Sequence, residues 1–382
     1  MHTGRWTKFH FGFSDAYRLE KERENAAALA VLHDLLAELD SLSSLEERLQ
    51  ALVQGALAAN IFDWGAKACV ALYQAGTILE IYREARAKLS KRPWALDHYD
   101  KFQERAKRSY NGAPGLPPYR RVLMFVDNSG ADIVLGQLPF AREFLRMGCE
   151  VVLVANKLPA INDITATELI DVVASAERVC PIIRAARDAA RRVESASGGM
   201  VPPYPGAQQI KRSGSHAKLP GLQTLAGNGG GNGGNGAGNG GGNGGTGGAA
   251  CGGASSAAGN PGSNSERTSS GGQASSSGFA SAAGVDVPGP KLYIVHNGQG
   301  SPCLDFRRVP DLLAEACSGA DLIVIEGMGR AIHTNLNASF LCDSLKLAMI
   351  KTERLSTKLF GPHGSLYDCV CKYEEGKGSP ST

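Results

Sequence analysis

The sequence predicts an α/β protein: a mostly parallel sheet flanked by helices, with an α-helical N-terminal lobe and a disordered glycine-rich insert. Three observations lead there. Apolar, β-branched runs such as Arg121 to Val126 and Glu150 to Ala155 alternate with helical stretches. The chain from Ser14 to about Asp97 carries helical periodicity. Of the 48 glycines, 25 lie between Gly221 and Gly289, and from Gly227 to Val285 the only charged residues are Glu266 and Arg267. Such a segment has too little apolar surface to offset its ordering entropy. The rest, roughly 300 residues, suffices for one large domain with a helical lobe.

Each element follows from local pattern. Ser44 and Glu47 form a capping box, and Leu45, Leu49, Leu52, Val53 and Leu57 mark one helix face behind it. Helical pattern continues from Asp63 to about Leu89, where Arg92-Pro93-Trp94 interrupts it. Beyond Pro117 and Pro118, Arg121 to Val126 reads as a buried strand and Asp127-Asn128-Ser129-Gly130 as a turn. Ile133 to Met147 reads as a helix stopped by Gly148, and Glu150 to Ala155 as a second buried strand. Strand, helix and strand make a βαβ unit, which requires parallel pairing. After the insert, Leu292 to Val295, Leu322 to Ile325, Leu347 to Ile350 and Leu366 to Tyr373 read as strands, with a helix at Leu312 to Cys317. The result is a Rossmann-like sheet. Its expected divisions are 1–115 for the helical lobe, 116–205 and 290–382 for the two parts of the α/β domain, and 206–289 for the insert.

Composition narrows the function classes. Forty Lys and Arg against 37 Asp and Glu leave a net charge of +3 with no long basic run, so nucleic acid is not an expected partner. No run of 18 apolar residues exists to span a membrane, and Met1 to Phe13 lacks a signal-peptide core, so the cytoplasm is the expected compartment. Nine scattered cysteines without a C-x-x-C argue against a disulfide scaffold or structural zinc. No feature specifies an oligomeric state.

Ligands of an open parallel sheet bind beyond the carboxyl ends of its strands. At those ends stand Asp127 and Asn128, then Asn156, Asn162 and Asp163, then His296 and Asn297, then Glu326, then Lys351. Two carboxylates and an amide are hard ligands, suited to Mg²⁺, Mn²⁺ or a similar ion that keeps waters. Lys351 supplies positive charge for a phosphate oxygen, and Ser129-Gly130 opens a helix whose free N–H groups favour an anion. Taken singly, Asp127-Asn128-Ser129 and Asn162-Asp163 also read as ordinary turns and caps. Their convergence on one edge points to phosphoryl chemistry, which needs positioning and charge above all. An aspartyl-phosphate scheme is disfavoured because Asp127 has no second Asp at +2, and no C-x5-R, P-loop or G-x-G-x-x-G is present.

Several longer stretches carry a family likeness: N-I-F-D-W-G-A-K-A from Asn60 to Ala68, R-P-W from Arg92 to Trp94, D-N-S-G-A-D-I-V-L-G from Asp127 to Gly136, P-A-I-N-D-I-T from Pro159 to Thr165, S-P-C-L-D from Ser301 to Asp305, E-G-M-G-R from Glu326 to Arg330, and S-L-K-L-A-M-I-K from Ser344 to Lys351. In this order they resemble the damage-control phosphatases, first catalogued as domain of unknown function 89, and within them the subfamily marked by E-G-M-G-R. The resemblance implies a divalent metal held by Asp127, Asn128 and Asp163, with Mn²⁺, Ni²⁺ or Co²⁺ supporting a phosphatase. It implies a small phosphorylated metabolite as substrate, namely 4′-phosphopantetheine and its oxidised or sulfonated damaged forms, in coenzyme A metabolism. The expected catalytic set is Asp127, Asp163, Lys351, Glu326 and Asp63, with a metal-site carboxylate, or Asp63 reaching in from the helical lobe, as the expected proton acceptor. Asn60, Ser129, Lys351 and Arg330 are the expected substrate contacts. A sugar-phosphate phosphatase and a non-catalytic metabolite-binding protein are the competing readings.

Overall fold

Strands buried on both faces need helices on both sides, and the chain supplies them in sequence. The computed structural model describes residues 14–60, 78–89, 91–205 and 289–377. Three helices come first: α1 (Arg18–Ser41), α2 (Leu45–Ala59) and α3 (Ile78–Lys88). Next come β1 (Leu96–Asp97), α4 (Tyr99–Ala106), β2 (Arg121–Phe125), a π-helical turn (Asp132–Gln137), α5 (Leu138–Arg146), β3 (Glu150–Ala155), α6 (Ala166–Val179) and α7 (Pro181–Ala196). After residue 289 follow β4 (Leu292–His296), α8 (Asp311–Ala316), β5 (Leu322–Glu326), a second π-helical turn (Met328–Thr334), β6 (Asp343–Met349), α9 (Glu353–Phe360) and β7 (Cys369–Glu374). The expected disordered segment falls, from 206 to 288, outside the described residues. No described helix is long and apolar enough to cross a membrane.

The strands form one sheet in the order β1-β7-β6-β5-β2-β3-β4. All neighbours pair in parallel except β6 and β7, which are antiparallel. Successive side chains point to opposite faces. Val122, Met124, Val151, Leu153 and Val324 therefore join one apolar core with Leu32, Leu35, Leu49, Leu52 and Phe144 from the helices. Leu123, Phe125, Val152, Val154 and Ile325 join another with Phe306, Leu313, Ile332 and Phe340. The sequence reading assigned no strand before residue 121; Leu96 and Asp97 nonetheless pair with Val370 and Cys371.

At the expected helix Ile133 to Met147, the structure has a π-helical turn up to Gln137 and regular helix from Leu138. Pro139 explains the change. It has no N–H for the carbonyl four residues back, that of Leu135. The Tyr82 hydroxyl donates to that carbonyl instead, at 3.1 Å. Space for the hydroxyl comes from Gly55 on α2, where an added Cβ would collide with Tyr82 Oη.

Glycine in a helix interior normally costs stability relative to alanine. Gly55→Ala should nevertheless lower stability by about 1–3 kcal/mol, because it displaces the donor of a buried carbonyl. Urea unfolding measures this, and an unchanged or raised midpoint contradicts it.

Candidate functional site

The strand order reverses between β2 and β5. From β2 the chain builds outward through β3 to β4, then returns to the other side of β2 for β5 and builds through β6. Loops from β2 and β5 therefore diverge at the topological switch point. Asp127 and Asn128 follow β2 closely, and Glu326 is the last residue of β5. Each strand then turns at a glycine with positive φ, 74° at Gly130 and 99° at Gly327, and enters a π-helical turn. A Cβ on Gly327 would collide with the Asp127 carboxylate. The strand ends approach too closely there for any side chain.

Backbone bonds stitch the loop after β2 to the loop after β3. Ile164 N donates to Asp127 O at 3.0 Å and Ser129 N to Asn162 O at 3.0 Å. Asn128 pairs with Asp163, and Asn156 with Thr165, as isolated bridges. Thr165 and Glu168 form a capping box at the start of α6, which holds the exit of this loop.

This stitching gathers acids in the interior. Asp127, Asp132, Asp163 and Glu326 are all buried. Arg330 bonds Asp127 through one terminal nitrogen and Asp163 Oδ2, at 2.7 Å, through the other. Asn156 Nδ2 also donates to Asp163 Oδ2, at 2.9 Å. Asn128 Nδ2 donates to Asp127 Oδ2 at 3.1 Å and to Asp132 Oδ2 at 2.9 Å. Asn60 Nδ2 donates to Asp132 Oδ2 at 3.2 Å. Burial pushes the Glu326 carboxyl well above its ordinary range; the Asp132 charge adds to this and Lys351 opposes it. Burial likewise raises Asp132, against Lys351 and the Asn128 and Asn60 donors. Arg330 is lowered by burial to about 9, so it remains a cation at neutral pH.

The donor set fits a hard divalent cation. One oxygen each from Asp127, Asp132 and Glu326 lie within 4.8 Å of one another. Among the described residues, no N–H or hydroxyl donor reaches either Glu326 oxygen or Asp132 Oδ1; the two carboxyl groups face each other. Buried carboxylate oxygens without donors are costly, and a cation satisfies them.

The structure thus brings together Asp127, Asn128, Asp163, Glu326 and Arg330, with Asn60 bonded to the same cluster and Lys351 close enough to act on Asp132 and Glu326. Ser129 is buried beside them. Asp63 lies outside the described residues. Sequence reasoning missed Asp132, which resembled an ordinary acid in a first helical turn. His296 is half-buried and His333 exposed, and neither bonds the acidic cluster.

Residues 3–200 match a family described as the damage-control phosphatase ARMT1-like domain. The chain is 45% identical to Pantothenate kinase 2 of Arabidopsis thaliana over 95% of its own length, but spans 31% of that relative. It is 30% identical, over 95% of its length, to a damage-control phosphatase of the same plant, of which it spans 68%. It is 33% identical, again over 95%, to the Mus musculus 4′-phosphopantetheine phosphatase, of which it spans 37%.

The raised Glu326 carboxyl makes a pH prediction for protein freed of divalent ions by chelation. Burial favours the protonated Glu326 carboxyl in the folded state, whereas the unfolded chain releases that proton above the ordinary glutamate pKa, so stability falls as pH rises past the ordinary glutamate range. One such proton accounts for up to about 1.4 kcal/mol per pH unit. Glu326→Gln removes that share, and its unfolding free energy should fall less over the same range. Equal slopes for variant and wild type would refute a protonated Glu326.

Proposed function

Because the chain belongs to the damage-control phosphatase family, we propose that it is a divalent-metal-dependent phosphatase acting on a small phosphorylated metabolite, 4′-phosphopantetheine or its oxidised or sulfonated forms. The observation that carries the catalytic reading is the cluster of buried carboxylate oxygens without donors at the switch point, next to two cationic side chains. The substrate reading draws on the E-G-M-G-R run and on the likeness to the mouse phosphatase.

Asp127, Asn128 and Asp163 would hold the ion, and Asp132 and Glu326, whose oxygens lie near those of Asp127, would offer further ligands. Once bound, the ion would neutralise phosphate charge and lower the pKa of a nearby water. Arg330 and Lys351 supply the remaining positive charge for the phosphate oxygens. Water attacks phosphorus in line as the bond to the ester oxygen breaks, and that oxygen leaves as the alcohol on taking a proton from solvent. With the cation site filled, Glu326 would be ionised and would receive the proton of the attacking water. Asn60 orients Asp132, and Asn156 orients Asp163.

A phosphate-release panel tests this with Mn²⁺, Ni²⁺, Co²⁺ and Mg²⁺ added singly. Turnover of 4′-phosphopantetheine should exceed that of fructose phosphates, and Asp127→Ala should lower kcat by about 100-fold or more. Preference for a fructose phosphate would replace the substrate assignment. Full metal-supported activity in Asp127→Ala would remove the site assignment.

A further inference from the structure

The stripe that α1 buries changes character along its length. Its C-terminal half buries Leu32, Leu35, Leu36 and Leu39, and the same helical face continues N-terminally as Ala28, Asn25, Glu24 and Lys21, all of them buried. A helix that only packed would bury apolar residues in its first turns as well, since buried charge is costly without partners. Here the polar segment meets the two loops that carry the acids. Lys21 Nζ reaches Asp15 Oδ2 at 2.6 Å, Glu168 Oε1 at 2.6 Å and the Asp163 backbone oxygen at 3.5 Å. These three acceptors match the three donors of an ammonium. Glu168 also caps Thr165, through Oε2, so Lys21 braces both Asp163 and the helix start that follows it. On the other loop, Gly130 N donates to Asn25 Oδ1 at 2.7 Å. Glu24 covers the same glycine so closely that an added Cβ would lie 2.8 Å from Glu24 Cβ.

We propose that α1 is a positioning strut for the cation site. Lys21 and Asn25 set the separation between Asp163 and the loop carrying Asp127 and Asp132. The inference rests on the divalent-ion reading above. Lys21 meets Asp163 at its backbone oxygen and Asn25 meets Gly130 at its backbone N–H, so each reaches its loop through the main chain. The far end of α1 is tied down separately, where Arg142 grips Asp40 through bonds of 2.9 and 2.6 Å. That second anchor provides a control for helix docking alone.

The experiment is Mn²⁺ titration by calorimetry on full-length, chelator-treated protein, with thermal melts alongside. Lys21→Met and Asn25→Ala should each bind Mn²⁺ about tenfold more weakly, the scale of outer-shell effects at metal sites. Arg142→Met should melt at lower temperature yet bind Mn²⁺ like wild type. If Lys21→Met does not fold, Asn25→Ala carries the test. Wild-type affinity in the folded α1 variants overturns the strut, as does an equal loss in Arg142→Met. A wild type that takes up no Mn²⁺ removes the metal reading and this inference together.

Discussion

Four carboxylates buried together at the carboxyl edge of the sheet are the constraint on which the structure depends. Asp127, Asp132, Asp163 and Glu326 lie where water cannot solvate them, so their charge has to be balanced from within. Arg330 does part of this by bonding Asp127 and Asp163 together. Asn60, Asn128 and Asn156 supply neutral donors, and burial favours the uncharged form of Glu326. Glu326 and one oxygen of Asp132 are left without donors among the described residues. A site so incompletely neutralised is a poor way to stabilise a fold and a good way to attract a cation.

The rest of the architecture serves that edge. Two-faced burial makes the sheet parallel and puts helices on either side, and parallel order lets the loops of β2 and β5 diverge at the switch point. Glycine at 327 lets the end of β5 come within reach of Asp127.

Much of this was legible in the sequence. Strands followed from apolar runs, and Asp127, Asn128 and Glu326 stood out because polar residues closed those runs. Asp163 was legible through its loop and through the family likeness. What escaped was set by tertiary contact. Asp132 sits where an acid also complements a helix dipole, so its spacing told nothing apart. Lys21, Glu24 and Asn25 occur in a charged first half of α1 that reads as a solvated face, although they continue the spacing of the leucines beyond. The strand at Leu96 was too short for any pattern, and its partner, β7, lies far along the chain.

The joint between α2, α3 and the turn before α5 has an implication for how such sequences change. Gly55, Tyr82 and Pro139 answer one another: the imino acid leaves a carbonyl bare, the phenol supplies its donor, and the missing methyl admits the phenol. A relative with an N–H at 139 would close the helical bond by itself and release the other two positions, so phenylalanine and alanine would become acceptable there as a pair. Replacement at these three distant sites should therefore be correlated across descendants, and grafting any one of them alone into a foreign background would import a mismatch.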